Sequence, residues 1–184
     1  MKARTVIGLL CALAAVAMGG CARGPSAGRE TAGPEAAQRV ISTAPGFTEI
    51  LFAVGAGDQV VAVTNFCEYP PEGVAELPRI GAYLNPDVER MLSLRPDLVV
   101  LLPAQEGLRQ RLQAAGIRTL TAANESHEEL LASILDIGGA TGHVEEATRL
   151  HGELTAELEG VRGAVADREP VPVLLVIGRG SGDL

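Results

Sequence analysis

Residues Asn85–Leu102, NPDVERMLSLRPDLVVLL, read as a helix, a proline stop and a buried strand. Asn85 has the side chain of a helix N-cap, and Pro86 suits the first helical position, where its missing N–H would be unpaired anyway. Val88, Met91, Leu92 and Leu94 give the short helix one apolar side, which leaves Glu89 and Arg90 to water. Arg95-Pro96 ends it, because a residue before proline avoids the right-handed helical region. Leu98 to Leu102 is then apolar without alternation, as in a strand covered on both faces. Helix, stop and buried strand make one unit of an α/β sheet.

The chain of 184 residues is long enough for one domain, or one and a fraction. A hydrophobic content of 47% supports a real core, whereas aromatics make up only 3% and tryptophan is absent. The formal net charge is −8; beyond residue 20, 13 basic side chains face 23 acidic ones, which leaves −10. That field excludes nucleic acid and anionic membrane surfaces as electrostatic partners.

The N-terminus has the form of a targeting segment. Lys2 and Arg4 precede an apolar run from Val6 to Met18, shorter than the roughly 20 residues that span a bilayer. Met18-Gly19-Gly20-Cys21 resembles a bacterial lipoprotein box, with Met18 where leucine is usual. The resemblance implies that Cys21 becomes the lipidated first residue of the mature chain; the alternative is an ordinary cleaved signal with an incidental cysteine. Residues 22–38, rich in Gly, Ala and scattered charge, read as a flexible linker.

From Arg39 the periodicities alternate. Arg39–Thr43 reads as a first strand, Ala44-Pro45-Gly46 as a break, and Phe47–Val54 as a helix closed by Gly55. Gln59–Thr64 is a second strand. A long loop, 65–84, holds three prolines and both tyrosines. After the helix and strand of 85–102 come a helix at Glu106–Ala115, a strand at Arg118–Thr121, and a helix from the capping-box spacing of Ser126 and Glu129 to about Gly138. Strands alternating with helices predict a Rossmann-like α/β lobe with a parallel sheet covered by helices on both faces.

His143–Ala166 breaks this rhythm. Val144, Ala147, Leu150, Leu154, Leu158, Val161 and Val165 recur at helical spacing over about 35 Å, too long for a crossover within the sheet. Val171–Ile177 then opens a further apolar strand. The expected organisation is a signal and lipidated cysteine at 1–21, linker 22–38, lobe 39–142, a rigid connecting helix 143–168, and the first strand of a truncated second lobe at 169–184.

Ala44–Phe52 (APGFTEILF), Val61–Pro71 (VAVTNFCEYPP) and Gly81–Leu102 resemble the N-terminal lobe of substrate-binding proteins of ATP-driven importers. The branch is the one whose two lobes are joined by a single helix and which carries vitamin B12, ferric siderophores or haem. Glu68-Tyr69-Pro70-Pro71 and Asn85-Pro86-Asp87 look most like vitamin B12 binders. The resemblance implies a non-enzymatic, extracytoplasmic, lipid-anchored protein that hands a corrinoid or iron chelate to an ABC permease and its ATPase.

Ligands of open α/β sheets sit beyond the carboxyl ends of the strands. Here those ends bring Pro45, Gly46 and Phe47, then Phe66, and Leu102, with Tyr83 from the long loop, as candidate ligand contacts. By resemblance, Phe66, Tyr83 and Leu102 occupy positions of aromatic contacts in B12 binders, with Leu102 aliphatic instead. Phe66 and Tyr83 also read as plain loop anchors. Glu89 matches a surface glutamate that the family uses to meet permease arginines, and also reads as an ordinary solvated carboxylate.

Other chemistry is thinly represented. His127, His143 and His151 form no compact ligand set with cysteine or carboxylates, which argues against zinc. Cys67 is left without a disulfide partner inside the fold and reads as packing. Gly178-Arg179-Gly180-Ser181-Gly182 follows a strand but lacks the spacing of a dinucleotide loop. The rival reading is an exported α/β enzyme or dinucleotide binder built on those glycines.

Overall fold

The computed structural model describes residues 35–174. The expected signal segment with Cys21, most of the linker and the Gly178–Gly182 loop lie outside them. Four strands, β1 (Val40–Ser42), β2 (Val60–Val63), β5 (Leu98–Leu101) and β6 (Arg118–Thr121), form one parallel sheet in the order β2-β1-β5-β6. All four carboxyl ends therefore share one edge. A two-stranded hairpin, β3 (Gly81–Ala82) and β4 (Asn85–Pro86), stands in the long loop.

Helices cover both faces, as the alternation predicts. On one face Val40, Leu98 and Val100 pack with Phe47, Ile50 and Leu51 of α1 (Pro45–Ala53), Ile134 and Ile137 of α5 (His127–Thr141), and Ala147 of α6 (Val144–Val165). On the other face Ile41, Ala62, Val99 and Leu101 pack with Met91 of α3 (Val88–Ser93) and Leu108 and Leu112 of α4 (Glu106–Ala114). Successive residues of β1 and β5 thus serve opposite cores, which is why β5 carries no polar residue.

Several boundaries differ from the sequence reading. The cap of α3 is Asp87, whose carboxylate accepts the Arg90 N–H at 3.0 Å. Asn85 and Pro86 are instead in the ladder with Ala82 and Gly81, a short pairing that tolerates proline. Arg95 stops α3 by taking φ +50, the left-handed region, rather than an extended conformation. The Arg39 guanidinium donates to the carbonyls of Leu94 (2.7 Å) and Arg95 (3.1 Å), so the turn is satisfied by a charged donor. Asp97 in turn accepts the N–H groups of Gln38 (2.8 Å) and Arg39 (3.0 Å). With Ala37 buried and bonded to the Ala140 carbonyl, the fold reaches into the expected linker. Pro45 and Gly46 open α1 rather than break the chain, and α5 continues past Gly138 to Thr141. The long loop contains a further short helix, α2 (Pro71–Val74).

The long helix is present over 22 residues and packs on α5. Leu154 and Leu158 are half-buried, while Val161 is 62% exposed. The expected strand from Val171 is not formed within the described residues: Val171, Val173 and Leu174 are exposed and enter no ladder there. Within residues 35–174, no helix is long and apolar enough to cross a membrane.

Candidate functional site

The edge formed by the carboxyl ends is built from short loops whose backbone is held by buried side chains. After β1, Ser42 donates to the Ala44 carbonyl at 3.0 Å, and Thr48 of α1 lies 2.8 Å from Ser42 Oγ and 3.1 Å from Cys67 Sγ. Thr64, at the end of β2, contacts the same sulfur at 3.1 Å. Cys67 is buried in this cluster, consistent with a packing role. Arg79 reaches back to the carbonyls of Thr64 (3.0 Å), Cys67 (2.6 Å) and Val74 (3.0 Å). One guanidinium thereby satisfies three carbonyls, one at the end of β2 and two in the long loop.

After β5 the same task falls to Gln105, which is 7% exposed. Its Oε1 accepts the Leu102 N–H at 2.9 Å and stands 2.6 Å from Thr43 Oγ1; its Nε2 donates to the Tyr83 carbonyl at 2.6 Å. Thr43 Oγ1 is also 2.9 Å from the Val100 carbonyl. Thr43, Leu102 and Tyr83 thus belong to three different chain segments tied by one amide. On α4, the Arg109 guanidinium donates to Glu106 and holds that carboxyl below the usual carboxylate range.

Against this frame the sequence-derived residues divide. Pro45 is exposed at the first position of α1, Gly46 is half-buried beside Asn124, and Leu102 is half-buried against the core. Phe66, after β2, is 60% exposed, and Tyr83, at the hairpin tip, is 39% exposed. These five lie on the carboxyl-end edge or in the hairpin tied to it. Phe47 does not join them: its ring is 0% exposed, the first member of the apolar row continued by Ile50, Leu51 and Val54, so it serves the core. Glu89 is exposed on α3.

Sequence reasoning missed four contributors. Thr43, Gln105 and Arg79 build the loops, and Leu84, beside Tyr83 at the hairpin tip, is strongly exposed. Tyr69 is exposed as well and lines a groove of about 340 Å³ with Gly46, Glu49, Ile50, Leu130 and Leu154. Three of the chain's five aromatic residues, Phe66, Tyr69 and Tyr83, therefore stand in water on loops rather than in the core. The signal was available in the sequence, since Phe66, Tyr69 and Tyr83 all fall in the proline-containing stretch 65–84. Among the described residues, no three His, Cys, Asp or Glu side chains group closely enough to hold a metal ion.

Comparison with known proteins agrees with this arrangement. The periplasmic binding protein family matches residues 40–183. The vitamin B12-binding protein of Vibrio cholerae serotype O1 is 30% identical over 140 residues, covering 75% of this chain and 50% of the relative. The crystal structure of the periplasmic vitamin B12 binding protein of Vibrio cholerae superposes with a TM-score of 0.68 at 28% identity, over 73% of this chain and 53% of that one. The periplasmic heme binding protein of the same organism superposes with a TM-score of 0.63 at 25% identity, over 73% and 52%. The chain spans about half the length of the curated relatives it matches. On sequence, topology and the placement of its loops, the chain belongs to the periplasmic binding protein family.

Proposed function

We propose that this chain carries the N-terminal ligand-binding wall of an extracytoplasmic solute-binding protein that captures vitamin B12 and delivers it to an ABC permease and its ATPase. Residues 39–142 act as the lobe, 143–168 as the connecting helix and 169–184 as the opening of a second lobe. Cys21 carries a lipid anchor, the linker residues ahead of the buried Ala37 form its tether, and Glu89 docks on the permease. The role is binding rather than catalysis.

One observation carries the choice of ligand. The segments that cap the carboxyl ends, 43–47, 64–69, 81–86, 102–105 and 122–126, contain no Lys, Arg or His, and they hold two acids, Glu68 and Glu125. They expose Phe66, Tyr83 and Leu84 instead. A ferric tricatecholate is strongly anionic and haem carries two carboxylates; both call for fixed cations in a site that excludes water. A large macrocycle without such anionic groups on its rim is accommodated by aromatic and aliphatic faces with a few backbone polar contacts. The B12 binders among the relatives support the same choice over the ferric siderophore and haem alternatives.

The test is competition on the purified chain. Cyanocobalamin, haemin and a ferric tricatecholate are titrated separately by equilibrium dialysis. Cyanocobalamin is expected to bind, weakly because one wall covers only part of it, and the trianion not at all. Tighter binding of the tricatecholate or of haemin than of cyanocobalamin would overturn the assignment.

A further inference from the structure

We propose that Gln105 is a positioning residue of the ligand edge, setting where Tyr83 stands. Tyr83 and Leu84 form the two-residue tip of the β3–β4 hairpin, and each strand of that hairpin is two residues long. Such a hairpin is marginal by itself. Its base is fixed: Ile80 N–H donates to the Val63 carbonyl (3.0 Å), Asn65 N–H to the Gly81 carbonyl (2.9 Å) and Asp87 N–H to the Ile80 carbonyl (2.8 Å). Its tip is held by Gln105 Nε2 on the Tyr83 carbonyl, at 2.6 Å.

The amide cannot be turned round. Reversed, its nitrogen would face the Leu102 N–H and its oxygen the Tyr83 carbonyl, two donor–donor and acceptor–acceptor clashes. Gln105 thus does two separable things. Its oxygen closes the turn after β5 through Leu102, and its nitrogen reaches the hairpin tip. A residue that merely capped the turn would need only the oxygen.

Gln105→Glu separates the two roles. Either protonation state keeps acceptors for Leu102 and Thr43. The neutral acid also keeps a donor for the Tyr83 carbonyl, whereas the carboxylate has none and repels it. Burial and the Tyr83 carbonyl raise the pKa of such a carboxyl while the Leu102 N–H lowers it, and the Gln105→Met chain below, with no group to titrate there, reads the released tip whatever the balance. Glu106, the next residue in the chain, is paired with Arg109, and its carboxylate adds a like charge that raises the pKa of the new carboxyl further.

The chain has two tyrosines and no tryptophan, so in a Tyr69→Phe background Tyr83 is the sole intrinsic emitter. Time-resolved anisotropy and acrylamide quenching of the full chain are read from about pH 5 to pH 8, above the ordinary range of an exposed carboxyl. The parent is expected to be flat. Gln105→Glu should match it at the acid end and lose tip order at the alkaline end, with quenching rising roughly twofold. Gln105→Met, similar in length and without a donor, should show the released tip at every pH and guards against failure of the glutamate variant to fold. A Gln105→Glu chain that follows the parent across the range, or a folded Gln105→Met chain with an unchanged Tyr83, would overturn the proposal.

The fluorescence arm is independent of ligand; only the affinity arm rests on the ligand-binding reading. Cyanocobalamin affinity of Gln105→Glu should fall about tenfold from the acid to the alkaline end. If Tyr83 responds and affinity does not, positioning stands and the assignment of Tyr83 to the ligand edge fails.

Discussion

Replacing Gly138 by alanine should weaken the fold, although the helix that holds it would gain from the change. Gly138 lies in α5 where α6 crosses it. A Cβ placed there would overlap the Ala147 Cβ and stand 2.9 Å from the His143 carbonyl oxygen. In an isolated helix the substitution is worth about 1 kcal/mol in favour of alanine. Here the methyl forces α6 outward, and overpacking of this kind costs about 1–3 kcal/mol. It also opens the contact around Ala147, the one fully buried residue of α6. The net expectation is a loss of up to about 2 kcal/mol, read as a melting temperature lower by as much as roughly 4–8 °C in far-ultraviolet circular dichroism. Gly139 is the internal control. It is adjacent in the same helix, exposed, and a Cβ there meets nothing within 4 Å, so Gly139→Ala should stabilise by up to about 1 kcal/mol. Ala147→Gly in the Gly138→Ala chain should recover part of the loss. Equal shifts of the same sign for the two glycines would refute the close-packing argument.

The other expectations concern the proposed role. Phe66→Ala should leave stability nearly unchanged but weaken cyanocobalamin binding. An aromatic side chain contributes about 150–250 Å² of contact area. With 60% of Phe66 free, coverage by ligand is worth about 2–3 kcal/mol, or roughly 30- to 150-fold in affinity; a dialysis constant within twofold of the parent would remove Phe66 from the site. Glu89→Arg should weaken binding to the permease without altering ligand affinity, because the apolar side of α3 faces the core and Glu89 faces water. Pull-down and uptake assays that do not distinguish it from the parent would make Glu89 an ordinary surface carboxylate. Cys21→Ala should yield a soluble or unprocessed chain, since two acyl chains hold a protein on a membrane where one is marginal; a processed variant that stays with the membrane fraction would count against the anchor.

The α/β architecture was legible because each unit carried its own punctuation. Proline and glycine marked the stops, and the uninterrupted apolar run at Leu98 to Leu101 announced a strand buried on both faces. What failed was whatever depended on distant partners. Asn85 and Asp87 are both good caps two residues apart, and the ladder with Gly81 and Ala82 removes Asn85 from contention. Gln105 could not be recognised as a buried hub, since its partners lie 62 residues away at Thr43 and 22 away at Tyr83. Phe47 is a different kind of miss. Its place in the row with Ile50, Leu51 and Val54 was readable as helix core, and its position just after a strand end outweighed that periodicity.

The join at the start of the fold has a mechanical consequence. β1 sits between β2 and β5, and its first residue is preceded by the Asp97 clasp on Gln38 and Arg39. Tension applied through the residues upstream runs along the axis of a central strand. The bonds to both neighbours are then loaded in shear, together, instead of being peeled one after another. Traction on the chain's leading segment therefore meets a strand paired on both sides, and rupture under load is set by the slow escape of that strand.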